Sequence, residues 1–137
     1  MQSLQTTDQH IQFLLAANYQ RMLSYEQAAF LTSEPSFKEF YMARADESEA
    51  NMRQLCVLLN INHAAESYRA DNSFSNLFYG KKTTLKILES VKTIEKTIIK
   101  WYKGILKEIT DLPKEIVEMI ESQYHLLNNA QVKLGCL

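Results

Sequence analysis

Residues 83–110 read TTLKILESVKTIEKTIIKWYKGILKEIT, and the spacing within this stretch decides the fold. Leu88, Val91, Glu95, Ile98, Tyr102, Ile105 and Ile109 follow one another at alternating intervals of three and four, so all of them return to one side of a helix. Interleaved with them are Lys92, Lys96, Lys100, Lys103 and Lys107, most of them on the opposite side. A helix with a single apolar stripe gains most of its stability from packing that stripe against another element, so partner helices of comparable length are required.

Three such partners can be read outward from it. The first runs from about Thr7 to Leu31, with Ile11, Leu15, Asn18, Met22, Tyr25 and Ala29 as its seam. Thr6 or Thr7 supplies a capping oxygen, and Ser33-Glu34-Pro35-Ser36 ends the helix because proline restricts the residue before it. The second spans about Ser36 to Leu59, capped by Ser36, with Phe37, Phe40, Tyr41, Ala45, Ser48, Met52, Leu55 and Leu59 facing inward. The fourth follows Asp111-Leu112-Pro113, an acidic cap with proline in the first turn, and carries Val117, Ile120, Tyr124, Leu127, Gln131 and Leu134 to a stop at Gly135.

Between the second and third helices, residues 60–82 mix Asn, Ser and His with Tyr68, Phe74, Leu77, Phe78 and Tyr79. A structureless loop of that length is uncommon inside a compact domain, so a crossover carrying a short helix is expected. Connections that run short, long, short suit an all-α, ferritin-like antiparallel four-helix bundle with one long crossover, occupying residues 1–137 as one domain.

Composition supports this and removes other classes. The chain has 137 residues, 46% of them apolar, but only three glycines and two prolines, too little turn vocabulary for an all-β or α/β fold. No basic segment leads into an apolar run at the start, and no stretch of about eighteen apolar residues occurs, so a cytoplasmic protein without a membrane span is expected. Cys56 and Cys136 are too few for a disulfide framework and read as reduced thiols. There is no nucleophile triad, phosphate-binding glycine loop or zinc-ligand spacing.

Several segments carry a family resemblance: Tyr25-Glu26-Gln27-Ala28-Ala29, Glu34-Pro35-Ser36-Phe37-Lys38, Arg44-Ala45-Asp46-Glu47, Ile87-Leu88-Glu89, and Asp111-Leu112-Pro113-Lys114-Glu115-Ile116 leading to Gln123-Tyr124 and Ala130. In their order and spacing they resemble a bacterial domain-of-unknown-function family of the ferritin-like superfamily, related in layout to rubrerythrins. The resemblance covers most of the chain. It implies a bundle whose relatives hold two irons through a Glu from each of two helices and a Glu-x-x-His from each of the other two. The positions it matches to those ligands are Met22, Glu47, Ala50, Glu95, Asn128 and Gln131, so only Glu47 and Glu95 keep a metal-binding side chain. No Glu is followed three residues later by His, and His10, His63 and His125 cannot complete the motif. A degenerate di-iron site, with no metal or cofactor, is therefore expected.

Asn18, Glu47, Glu95, Asn128 and Gln131 form a candidate polar cluster in the bundle core. One reading is a hydrogen-bond network that fixes helix register. The other is a residual cavity that takes a small polar ligand or a lone cation through Glu47 and Glu95, with Glu26 recruited from the first helix. An isolated ionised carboxylate is costly to bury, so Glu95 must be hydrogen-bonded, protonated or solvated.

The net charge of −1 is unevenly distributed, because residues 1–80 hold nine acidic and five basic groups while residues 81–110 hold eight basic and three acidic ones. The row Lys92, Lys96, Lys100, Lys103 and Lys107 is either a solvated helix back or a docking surface for an acidic partner, including another copy of this chain. Nucleic acid is not expected, since the aromatics fall on core faces or in the crossover and the whole chain is weakly acidic. Together these readings favour a non-catalytic interaction or stress-associated module that has lost its di-iron site. The alternative is a metal-binding or oxidoreductase bundle that uses the remaining core carboxylates.

Overall fold

The computed structural model describes residues 2–59, 83–109 and 111–137, which form four helices and, among them, no strand. These are α1 (Gln2–Leu31), α2 (Pro35–Leu59), α3 (Thr84–Glu108) and α4 (Lys114–Gly135). The expected crossover helix between α2 and α3 lies outside the described residues.

Each helix end has a local cause, and several differ from expectation. α1 starts before Thr6 and Thr7 and runs through both, so neither caps it. α2 begins at Pro35, with the Glu34 carbonyl accepting from the Lys38 N–H at 2.9 Å, so Ser36 lies inside the first turn and is not the cap. Proline is well placed there, because its missing N–H would have had no intrahelical partner. α3 is capped by Thr83, whose hydroxyl accepts from the Lys86 N–H at 3.2 Å. At α4 it is Pro113 that precedes the first turn, and its carbonyl accepts from both Ile116 and Val117. Gly135 remains helical and Cys136 ends the helix in a right-handed conformation, so no left-handed glycine is needed.

Cross-helix hydrogen bonds give the directions. Asn18 meets Asn51 while Arg21 meets Ser48, so α1 and α2 are antiparallel. His10 meets Glu108, Asn18 meets Tyr102 and Arg21 meets Glu95, so α1 and α3 are antiparallel too. It follows that α2 and α3 run the same way. α1 packs beside α2 and α3, and α4 packs beside the same two, which leaves α1–α4 and α2–α3 as the diagonals of a square.

The α3 seam is buried at every position read from the sequence, from Leu88 to Ile109. The α4 seam is rotated. Ile120, Gln123, Leu127, Ala130 and Leu134 are buried, while Val117, Tyr124 and Gln131 sit half-buried at its flank. On α1, Leu14, Ala17, Arg21 and Ala28 join Ile11, Leu15, Asn18, Tyr25 and Ala29 in the interior, and Met22 is only half-buried. Among the described residues no helix is long and apolar enough to cross a membrane. Cys56 is buried and Cys136 is exposed, and the two are not joined in a disulfide.

Candidate functional site

The polar interior is organised around Arg21, a residue with no solvent exposure at all. A guanidinium has five N–H donors in a fixed planar fork, and here each has an acceptor. Nε donates to Glu95 Oε1 at 3.0 Å and Nη2 to Glu95 Oε2 at 2.9 Å, a bidentate pair between α1 and α3. Nη2 also donates to Glu47 Oε1 at 3.3 Å, and Nη1 donates to Ser48 Oγ at 2.9 Å and to the Arg44 carbonyl at 3.4 Å. The guanidinium lies 5.2 Å from the centroid of the Tyr25 ring, and the Tyr25 hydroxyl donates to Glu95 Oε1 at 2.6 Å.

Arg44 completes the charge balance. Its Nη2 reaches Glu47 Oε2 at 3.2 Å while its guanidinium stacks 4.6 Å from the Phe40 ring centroid. Two cations and two carboxylates thus form a neutral set across α1, α2 and α3. Burial alone opposes the charge on Arg21, but Glu95, Tyr25 and Glu47 outweigh it, and the pKa of Arg21 ends above the ordinary arginine value. Tyr25 moves well above the usual tyrosine value because burial, and then the neighbouring Glu95 charge, disfavour a phenolate. This arrangement holds charges still, with the Arg21 guanidinium filling the space between the two carboxylates.

One helical turn along α1 lies a second polar layer. Asn18 donates to the Leu14 carbonyl at 2.8 Å and to the Tyr102 hydroxyl at 2.7 Å, and it accepts from Asn51 Nδ2 at 3.1 Å. The Tyr102 hydroxyl donates in turn to Gln123 Oε1, and Gln123 Nε2 donates to Gln54 Oε1 at 2.9 Å and to the Asn51 carbonyl at 3.3 Å. All four helices contribute to this chain of hydrogen bonds. Tyr102 is fully buried, and that burial raises its pKa above the ordinary value.

Of the residues singled out from sequence, Glu95 and Glu47 converge on Arg21, and Asn18 sits in the adjoining layer. Asn128 and Gln131 are half-buried on α4 and join neither network in any bond seen here; Gln123 supplies the α4 side chain instead. Glu26 is exposed, and partial burial together with Glu49 and Asp46, rather than Glu95, raises its pKa. Lys96, Lys100, Lys103 and Lys107 are exposed and Lys92 is half-buried.

Sequence reasoning missed Arg21, although two signals pointed to it. Asn18, Arg21, Tyr25 and Ala28 are as well spaced as Asn18, Met22, Tyr25 and Ala29. A carboxylate in the α3 seam also calls for a cation on a facing helix, and Arg21 is the sole arginine of α1.

A di-iron pair does not fit these residues. The space between Glu47 and Glu95 is taken by the Arg21 guanidinium, a fixed cation that satisfies the carboxylate oxygens a metal would need. Ala50 is exposed, and Met22 offers only a thioether. Among the described residues no three His, Cys, Asp or Glu side chains gather into a metal-binding group. Compared with known proteins, the chain matches no family model, no curated protein and no solved structure.

Proposed function

We propose that this chain is a non-catalytic module of ferritin-like layout in which an arginine stands where relatives of that layout hold metal, and that it works by binding a protein partner or further copies of itself in the cytoplasm. The observation that carries this reading is Arg21 itself. Its five donors are all engaged, three of them on Glu95 and Glu47, so a fixed cation fills the space between the two core carboxylates. The common direction of α2 and α3, and the side-by-side packing of α1 with α3, agree with a bundle built from two hairpins and a long crossover.

The decisive experiment is elemental analysis of protein purified after growth with added iron and manganese. Substoichiometric metal, unchanged in Glu95→Ala, is the expected result. Stoichiometric metal that disappears in Glu95→Ala overturns the reading in favour of a metal-binding bundle. Docking through the lysine row of α3 is tested by sizing at low and high salt. An assembly held by those charges loosens as they are screened, and an assembly indifferent to salt does not use them.

A further inference from the structure

A groove of about 350 Å3 opens between α1 and α3, away from both polar layers. His10 and Phe13 form its α1 wall, and Lys100, Trp101, Gly104 and Glu108 contribute the α3 side. Phe13 and Trp101 meet edge to face, with ring centroids 4.9 Å apart and planes at 70°, and Phe13 keeps 44% of its surface exposed. His10 Nε2 is 3.0 Å from Glu108 Oε1, while His10 Nδ1 is buried and has no hydrogen-bond partner among the described residues.

Gly104 is the informative residue. It lies within the last two turns of α3, where glycine is a poorer helix former than alanine. Its backbone is not left-handed, and a Cβ built on it would meet no heavy atom within 4 Å, so neither conformation nor packing calls for glycine. What the missing side chain does is keep the groove wall bare between Trp101 and Glu108. An aromatic pair, a bare helix wall and a few polar groups at the rim make a shallow, open groove on which a small planar ligand can lie.

Charge selects the ligand class. Lys100 and Glu108 both line the groove, Glu108 beside His10 Nε2, and the exposed Lys96, Lys103 and Lys107 on the same helix make the surrounding potential positive. We infer that this groove binds a small planar aromatic carboxylate, its ring system against Phe13 and Trp101 and its carboxylate toward Lys100. A ring laid on the aromatic pair covers apolar surface that is now wet, and the lysine head reaches the carboxylate at the rim while its stem stays on the helix.

Trp101 is the only tryptophan of the chain, so its indole N–H gives a single resonance from a residue that lines the groove. Titration with 2-naphthoate is expected to shift that resonance saturably. Gly104→Leu, whose Cβ meets no heavy atom within 4 Å and whose side chain extends into the groove, abolishes the shift while melting no lower than the parent protein. Lys100→Met weakens binding about fivefold, the size of one exposed charge pair. No saturable shift with 2-naphthoate, or an undiminished one in Gly104→Leu, overturns the inference. Equal affinity for the neutral 2-naphthalenemethanol overturns the assignment to anionic ligands.

Discussion

Arg21 on α1 and Glu95 on α3 meet through two parallel hydrogen bonds, at 3.0 and 2.9 Å, and neither side chain is exposed to solvent. A buried ion pair of this kind adds little net stability over an apolar core, because desolvation offsets most of the attraction. Removing one partner is a different matter, since the survivor is left charged and dry.

That asymmetry gives the first prediction. Arg21→Ala loses about 3–5 kcal/mol of unfolding free energy, whereas the combined change Arg21→Met, Tyr25→Phe and Glu95→Leu stays within about 1 kcal/mol of the parent or exceeds it. Urea melts of the two variants check this, and equal losses in both refute it.

The second prediction concerns alkaline pH. Tyr25, Tyr41 and Tyr102 all have raised pKa values, Tyr41 to about 12, with burial the largest cause in each. Between the unfolded value near 10 and the higher folded values, the native state keeps protons that the unfolded chain gives up. Stability is therefore intact below pH 10 and falls as pH rises above it, by about 1.4 kcal/mol per pH unit for each such tyrosine. Tyrosinate absorbance for these residues and the loss of helical circular dichroism are expected to change together; tyrosine ionisation completed well before unfolding contradicts the prediction.

The α4 register is open to a direct comparison. Gln123→Leu takes away the acceptor of the Tyr102 hydroxyl and the donor to Gln54, and costs about 1–3 kcal/mol. Gln131→Ala and Asn128→Ala, on the half-buried flank, change stability by about 0.5 kcal/mol or less. Chemical denaturation of the three proteins ranks them, and the reverse order would mean that α4 is turned the other way.

Gly104 supplies a prediction of opposite sign. Since nothing in its backbone or surroundings requires glycine, Gly104→Ala raises stability by about 0.5–1 kcal/mol through helix propensity alone. The melting temperature rises by about 3 °C, which calorimetry resolves. A fall would show that alanine meets an obstacle at this position.

How far the sequence could be read varied from helix to helix. α3 was legible throughout because its back is made of lysines, so only one rotation buries the apolar side. α4 was not, because Ile120, Leu127 and Leu134 belong equally to a series through Tyr124 and Gln131 and to one through Gln123 and Ala130. What separates the two series is the hydrogen bond Gln123 makes with Tyr102 on another helix, and spacing along one helix carries no such information. Glu95 was recognisable as a buried carboxylate in need of a partner. Arg21 was hidden because a long charged side chain is ordinarily placed on the wet face, and only the geometry of three helices together shows all five of its donors occupied.

The layer running from Gln54 through Gln123 and Tyr102 to Asn18 and Asn51 has an implication for assembly from pieces. Each helical hairpin carries only half of that circuit, and the complementary half lies on the other hairpin. Supplied as two separate peptides, they have a single mating geometry in which no amide or phenol is stranded, since a slip by one turn in either direction opens the circuit. Fragment complementation would thus be selective, accepting the native partner and rejecting a hairpin of similar greasiness but different polar lettering.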